Sequence, residues 1–125
     1  MSLKDSPLTA FLATTHPDQS KHFYRNLLSL PLEDDSPFAL VFRTPNAAIR
    51  IQKVQTFTPA PHTSLGWTVP DIHAKVRELT TRGIQFERFP GMPQDDLGIW
   101  LSPSGAKVCW FKDPDGNLLS LTEFT

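Results

Sequence analysis

The side chains best suited to binding a metal ion are four histidines, and their spacing does not form a site. His16 precedes a proline where a helix should begin, His22 and His73 fall within predicted helices, and His62 precedes a predicted strand. The sequence has no His-x-x-x-His or Cys-x-x-Cys arrangement. Isolated histidines usually serve on the surface or at helix ends. The histidine pattern therefore predicts neither a metal centre nor a bound cofactor.

Covalent chemistry through a nucleophile has no better support in the sequence. The single cysteine, Cys109, lies between Val108 and Trp110 in an apolar run. Burial in such a run raises the pKa of a thiol and makes it inert. The chain has no Gly-x-Ser-x-Gly elbow and no glycine-rich phosphate loop. The sequence thus offers no candidate for a covalent mechanism.

Length, charge and cysteine content narrow the class of protein. The chain has 125 residues and a net charge of −1 at pH 7, which predicts one compact domain, 1–125, without a nucleic-acid partner. One cysteine excludes an internal disulfide and favours a reducing, cytoplasmic location. No apolar run follows Lys4, and no segment has the length of a membrane span, so we expect neither a signal peptide nor a membrane partner.

The first half of the chain predicts a strand, a helix and three further strands. Leu8–Thr14 is a short apolar run typical of a strand. Thr15, followed by Pro17, is expected to cap the next helix. The further strands are expected at 31–36, as a sheet edge, and at 38–42 and 48–54.

After a proline-rich connector at 56–61, the same order begins again. A strand is expected at 63–69, and Asp71 is expected to cap a helix that Gly83 closes. Further strands are expected at 84–89, 98–101, 108–111 and 118–121. The pattern therefore predicts one supersecondary unit present twice, over about 7–55 and 62–125.

The hairpin near the C-terminus carries the most distinctive motif. In Asp113-Pro114-Asp115-Gly116-Asn117, proline presets φ, aspartate bonds nearby backbone N–H groups, and glycine accepts a positive φ. Followed by a strand, this motif resembles the last hairpin of the vicinal oxygen chelate superfamily, which includes glyoxalases, bleomycin resistance proteins and extradiol dioxygenases. The resemblance extends from Leu8 to Phe124. It implies an α+β fold, in which two βαβββ modules form a half-closed concave barrel of mixed sheet with the helices outside.

The resemblance also implies where a metal ion would be held. Enzymes of the superfamily bind a divalent metal through His, Glu or Gln at one place on each of four strands. Here those places fall at Thr9, Arg50, Ser64 and Ser120. None is a credible ligand for a transition metal, and the guanidinium of Arg50 repels cations and attracts anions. The resemblance therefore implies a member that has lost the metal site and kept the cleft.

Metal-independent binding of a small molecule is the leading hypothesis. Strand alternation assigns one set of residues to the helix side and leaves a smaller, more polar face. The helix-side set is Leu8, Ala10, Leu12, Ile49, Ile51, Leu65, Trp67, Val69, Leu119 and Leu121. We expect the other face to bind an organic ligand, anionic or carbonyl-bearing. The expected contacts are Thr9, Arg50 as anion anchor, Gln52, Ser64, Trp100 as apolar wall, and Ser120.

Several alternatives stay open at this point. A metal-dependent lyase, isomerase or dioxygenase would need a displaced ligand, which His62 could supply if the strand register differed by two residues. Glu123 is a poor substitute because it falls on the face opposite Ser120. Trp100 and Trp110 could line the cleft, or fill the core or a dimer interface. A module that only binds other proteins is a weaker alternative. The resemblance also implies a homodimer.

Overall fold

The order strand, helix, three strands occurs twice in the chain. The structure, a computed structural model, describes residues 2–125 and has two compact units, one ending at Thr58 and the other spanning Pro59–Thr125. The boundary falls inside the proline-rich connector predicted at 56–61. Each unit contains one four-stranded mixed sheet. The predicted α+β class, with two βαβββ modules, is confirmed.

The first unit forms a sheet with the strand order β1-β4-β3-β2. Strand β1 is parallel to β4, and β3 is antiparallel to both β4 and β2. A 3-10 turn, Leu3–Asp5, precedes the sheet, and a π-helical segment, Phe23–Leu27, continues the helix. The elements are β1 Leu8–Thr14, α1 Pro17–His22, β2 Leu32–Asp35, β3 Ala39–Thr44 and β4 Ala47–Lys53.

The second unit repeats this topology with the strand order β5-β8-β7-β6. Its first strand is again parallel to its last, and the remaining pairs are antiparallel. The elements are β5 Thr63–Thr68, α2 Ile72–Thr81, β6 Trp100–Leu101, β7 Lys107–Lys112 and β8 Leu118–Glu123. The internal repeat predicted from the sequence is therefore present in the order and pairing of the strands.

Each unit buries aromatic side chains on the helix side of its sheet. In the first unit the ring of Tyr24 lies 5.6 Å from that of Phe42, and both side chains are fully buried. In the second unit Phe111 is fully buried, with the rings of Trp67 and Phe86 at 6.4 Å and 5.5 Å. Burial of each such aromatic side chain stabilises the fold by about 1.5–3 kcal/mol. These cores fix which face of each sheet is left for other contacts.

Helix α2 begins at two carboxylates. The side chain of Asp71 accepts a hydrogen bond from the N–H of Ala74 at 3.1 Å, and Glu123 accepts one from the N–H of Ile72 at 3.0 Å. Both negative charges stabilise the positive end of the helix dipole. Gly83 follows the helix with φ of +99°, as the prediction of a glycine stop requires. Within residues 2–125, no helix has the length and apolar character required to cross a membrane.

Three local predictions were wrong. Helix α1 begins at Pro17 after His16, whose N–H donates to the Thr14 hydroxyl at 3.0 Å, so Thr15 is not the cap. Leu8 is 68% exposed because it starts β1 at the edge of the sheet, opposite Ala47. Within residues 2–125, the segment 84–89 forms a single bridge to β7, because the Gln94 side chain bonds the Glu87 carbonyl and the Phe89 N–H that a strand ladder would use.

Candidate functional site

Three of the predicted ligand contacts lie on one face of the first sheet. Arg50 stands opposite Phe11 on β1 and opposite Val41 on β3. Cross-strand partners share a face, and the face alternates at every residue. Thr9 and Gln52 therefore lie on the same face as Arg50, which is the side opposite the Tyr24–Phe42 core. We call this the open face of the first sheet.

The guanidinium of Arg50 is available for an external partner. Arg50 is half-buried and makes no hydrogen bond or ion pair with any of residues 2–125. Arg43, on the same face, instead makes two hydrogen bonds of 2.7 Å to the Glu33 carboxylate. This pairing lowers the pKa of Glu33 and raises that of Arg43. The two arginines thus differ in what they can bind.

An exposed aromatic ring adjoins this cation. Phe11 is 59% exposed, although alternation gives it the partner position to Arg50. Single exposed apolar side chains are common on protein surfaces, so the ring gains its interest from the guanidinium beside it. A guanidinium beside a phenyl ring suits a ligand that carries both an anionic group and an apolar body. Phe11 falls outside the helix-side set predicted from the sequence, and the sequence analysis did not name it as a ligand contact.

A β-bulge displaces Ser64 from its expected position in the second sheet. Thr63 pairs with Leu118 and Leu65 with Leu119, so Ser64 is an extra residue without a register partner. A bulge inserts one residue and shifts the alternation of faces by one. Thr63, and not only Ser64, therefore lies on the side of this sheet opposite the Phe111 core, which we call the open face of the second sheet. Ser64 itself is exposed.

Ser120 lies on the open face of the second sheet, between Gly66 on β5 and Trp110 on β7. A Cβ atom added at Gly66 would lie 2.5 Å from the Ser120 Oγ. The hydroxyl therefore occupies the space that any side chain at position 66 would need. Ser120 Oγ makes no hydrogen bond to other residues in the range 2–125, so it can bond to a ligand.

Trp100 and Trp110 both lie on this open face and not in the core. The indole rings are 6.1 Å apart, and Phe89 meets Trp110 edge-on at 5.4 Å. The indole Nε1 of Trp110 donates to Thr63 Oγ1 at 3.1 Å. Alternation along β7 could have placed Trp110, because its neighbours Cys109 and Phe111 are both fully buried. The sequence prediction left this choice open and gave no role to Phe89.

The side chain of Gln94 helps to hold the loop that carries Phe89. Gln94 accepts a hydrogen bond from the N–H of Phe89 at 2.9 Å. Its amide nitrogen donates to the carbonyl oxygens of Glu87 and Gly98 at 3.0 Å and 2.8 Å. A single half-buried amide thereby satisfies backbone groups on both sides of the loop. The position of Phe89 beside Trp110 depends on this arrangement.

The residues at the four positions implied for a metal do not fit a metal ion. A threonine, an arginine and two serines stand there, and none offers imidazole, carboxylate or thiolate. Within residues 2–125, no three His, Cys, Asp or Glu side chains group as a metal site would need. His62 precedes β5 and is exposed, and the bulge breaks the spacing that could have aligned it with Ser64. Glu123 caps α2 on the other side of the sheet.

Cys109 is a core residue. It is fully buried between the strands β6 and β8, which flank β7. Removal from water raises the pKa of its thiol to about 12. The thiol is therefore protonated at neutral pH, and the sequence-based expectation of an inert cysteine agrees with the structure.

The Asp-Pro-Asp-Gly-Asn motif is a self-contained turn. The buried Asp113 carboxylate accepts hydrogen bonds from the N–H groups of Asp115 and Asn117, both at 2.9 Å, and from the Asn117 side-chain amide at 2.8 Å. Gly116 has a φ of +87°, in the left-handed region that favours glycine. The motif therefore shapes the β7–β8 hairpin and does not itself face a ligand.

Comparison with known proteins matches this architecture to a family. The family model described as the Glyoxalase/Bleomycin resistance protein/Dioxygenase superfamily matches residues 7–121, which is nearly the whole chain. The chain belongs to the glyoxalase/bleomycin resistance protein/dioxygenase superfamily. The resemblance seen in the hairpin motif is thereby confirmed. Membership of this superfamily fixes the fold and leaves the reaction or ligand open, because one fold serves many chemistries.

Several solved structures share the fold at low sequence identity. A superfamily member from Sphaerobacter thermophilus has a TM-score of 0.75 at 20% identity, covering 98% of this chain and 100% of that one. TnmS3, an antibiotic binding protein from Streptomyces, has a TM-score of 0.73 at 19% identity, covering 100% and 99%. A lactoylglutathione lyase from Agrobacterium tumefaciens has a TM-score of 0.69 at 18% identity, covering 95% and 93%. A search of curated proteins found no match.

Proposed function

We propose that this superfamily member binds a small organic anion without a metal ion. The observation that carries the proposal is the guanidinium of Arg50, unpaired within residues 2–125, beside the exposed ring of Phe11 on the open face of the first sheet. The guanidinium anchors a carboxylate or a phosphate, and the ring covers the apolar part of the ligand. The likeness to TnmS3, an antibiotic binding protein, supports a binding role.

The charge distribution on β3 and β4 supports Arg50 as the anchor. Three basic residues lie on these strands, and two have carboxylate partners: Arg43 pairs with Glu33, and the Lys53 Nζ lies 2.6 Å from Asp35. A paired cation offers an incoming anion little net attraction. Arg50 is the member of this set without such a partner in residues 2–125. An anion approaching the open face is therefore drawn to Arg50.

The other expected contacts remain part of the proposal. Thr9 and Gln52 are exposed on the same face as Arg50 and can hydrogen-bond to ligand oxygens. Ser64, Trp100 and Ser120 are proposed contacts in the second unit. We also propose a cytoplasmic location, from the single buried cysteine, and a homodimer, as the family resemblance implies.

The anion anchor is tested with benzoate, which has a ring and a carboxylate, against neutral benzamide. Binding is measured by calorimetry at about 20 mM and about 500 mM salt, since screening weakens an exposed ion pair. We expect benzoate to bind more tightly than benzamide, and the difference to shrink at high salt. Arg50→Gln should remove the preference for benzoate. Arg25→Gln is the matched control, because it removes the same charge from an exposed residue of the helical segment.

Two results would contradict the anion proposal. One is equal affinity for benzoate and benzamide in the wild type, and the other is an equal loss from Arg50→Gln and Arg25→Gln. Metal independence is tested separately, by benzoate binding before and after dialysis against a chelator and by thermal unfolding with added Zn²⁺, Mn²⁺ or Fe²⁺. Unchanged affinity and no stabilisation by metal are expected. A specific rise in melting temperature with one metal would favour the metal-dependent enzyme instead.

A further inference from the structure

The indole of Trp110 is a fixed aromatic surface on the open face of the second sheet. It is held by the hydrogen bond to Thr63 at 3.1 Å and by Phe89 edge-on at 5.4 Å. Trp100 adjoins it at 6.1 Å. Contacts from a strand, a loop and a further strand restrict the rotation of this ring. Restriction before binding reduces the entropy that a ligand contact would otherwise cost.

Trp110 is not needed to fill the core of its unit. The helix side of this sheet already holds the buried side chains of Phe111, Leu119 and Leu121. Trp110 points to the opposite face and is half-buried. The N–H of an indole is its one hydrogen-bond donor, and here it is bonded to Thr63. What Trp110 can still offer a ligand is therefore stacking against its ring.

A hydrogen-bonding group stands next to this ring. Trp110, Ser120 and Gly66 are register partners on three adjacent strands. The hydroxyl of Ser120 leans over Gly66, where a Cβ atom would lie 2.5 Å away. Within residues 2–125, that hydroxyl has no hydrogen-bond partner. The Trp110 ring, the Ser120 hydroxyl and the backbone of Gly66 therefore lie side by side on adjacent strands.

We infer that this row binds a flat conjugated ring that carries a phenolic or carbonyl oxygen. The ring stacks on Trp110, the oxygen hydrogen-bonds to Ser120 Oγ, and the missing side chain at Gly66 leaves the hydroxyl its place. This inference rests on the proposed small-molecule binding and adds the chemical class of the ligand. It uses no charged group, so it can be tested apart from Arg50.

The probe is 2-naphthol, compared with naphthalene, which lacks the oxygen, and with cyclohexanol, which lacks the aromatic ring. Affinities are measured by ligand-observed NMR. We expect 2-naphthol to bind most tightly. Ser120→Ala should lower the affinity for 2-naphthol about fivefold, the usual effect of one lost hydrogen bond, and leave the affinity for naphthalene unchanged. Thr122→Ala is the matched control, because it removes a hydroxyl from the same strand and face.

Further variants separate the ring from the hydroxyl. Thr63→Val releases the indole without removing it and should lower the affinity for both naphthalene and 2-naphthol. Gly66→Ala should weaken 2-naphthol more than naphthalene, because Ser120 Oγ must move. Thermal unfolding of each variant establishes that it is folded.

Absence of 2-naphthol binding to the wild type would overturn the inference, as would equal effects of Ser120→Ala and Thr122→Ala. Binding of benzoate through Arg50 together with no 2-naphthol binding would leave the proposed function standing and remove only this subsite. Binding of 2-naphthol with no preference for benzoate would remove the anion anchor and keep the subsite.

Discussion

The indole nitrogen of Trp110 donates a hydrogen bond to the hydroxyl oxygen of Thr63 at 3.1 Å, from β7 to β5, although β8 lies between these strands. The indole ring therefore extends across β8. The indole is long enough to span this distance and still end on a polar group. The contact joins residues 47 positions apart in the sequence.

Removal of this hydrogen bond should release the ring with little loss of stability. Thr63→Val keeps the branched side chain and removes the acceptor, so we expect the free energy of unfolding to fall by about 1 kcal/mol. The near-ultraviolet circular dichroism of the tryptophans should change, because the ring becomes less ordered. Thr68→Val, on the same strand and face, should leave the spectrum as it is. Identical spectra for both variants would show that the tether does not fix the ring.

Gly66 and Ser120 should be coupled. Gly66→Ala brings a methyl group into the space of the Ser120 hydroxyl, which must turn away about χ1, so we expect a small loss of about 0.5–1 kcal/mol. Adding Ser120→Ala removes the clashing oxygen and should recover part of that loss. A double-mutant cycle by urea denaturation measures the interaction energy. Strict additivity of the two substitutions would contradict the proposed steric contact.

Gln94 should stabilise the loop that carries Phe89. Gln94→Ala removes one acceptor and two donor contacts to backbone groups, so we expect a loss of about 1–3 kcal/mol. Hydrogen exchange should increase most at the Phe89 amide. Gln85→Ala is the control, because Gln85 is exposed and its side chain has no hydrogen bond within residues 2–125. Equal exchange in the two variants would show that Gln94 does not hold the loop.

Asp35 should contribute to stability above mildly acidic pH. Hydrogen bonds from Lys53 and then from Lys21 lower the pKa of its carboxyl from the ordinary value of 3.8. A lowered folded-state pKa gives stability that is present above the unfolded value and lost as pH falls through the folded one. Asp35→Asn should therefore reduce the free energy of unfolding near neutral pH, and the difference should shrink below about pH 4.

The control for Asp35 is its neighbour. Asp34 is exposed and makes no ion pair within residues 2–125, so Asp34→Asn should leave the pH dependence of unfolding nearly unchanged. The measurement is urea denaturation across the acidic range at low salt. A difference between wild type and Asp35→Asn that stayed constant with pH would mean that the two lysine contacts do not act through charge.

The repeated βαβββ order could be predicted because its signals are local. Alternation along β4 and β8, the Asp71 cap and the Asp113 turn each depend on a few neighbouring residues. Local signals failed where one inserted residue changes the geometry. The bulge at Ser64 changes the face of Thr63 and leaves Gly66 on the predicted face. A glycine inside a strand often marks a bulge, but it does not specify which residue is the inserted one.

Which side chains of the candidate site have partners depends on contacts between residues far apart in the sequence. Arg43 and Arg50 look alike in the sequence, and only the pairing of Arg43 with Glu33 on β2 leaves Arg50 as the unpaired one within residues 2–125. Likewise, alternation could give the face of Trp110, but its partner Thr63 lies at the start of the same unit. Such relationships follow from strand order, which local periodicity does not specify.

The burial of Cys109 makes this chain a convenient subject for site-specific labelling. Its thiol is the only one in the sequence, is fully buried and has a pKa near 12. Maleimide reagents attack exposed thiolates, so the native chain should stay unlabelled at neutral pH. A cysteine introduced at an exposed surface position would then be the single reactive group. Fluorophores or spin labels can thus be attached without first replacing the native residue.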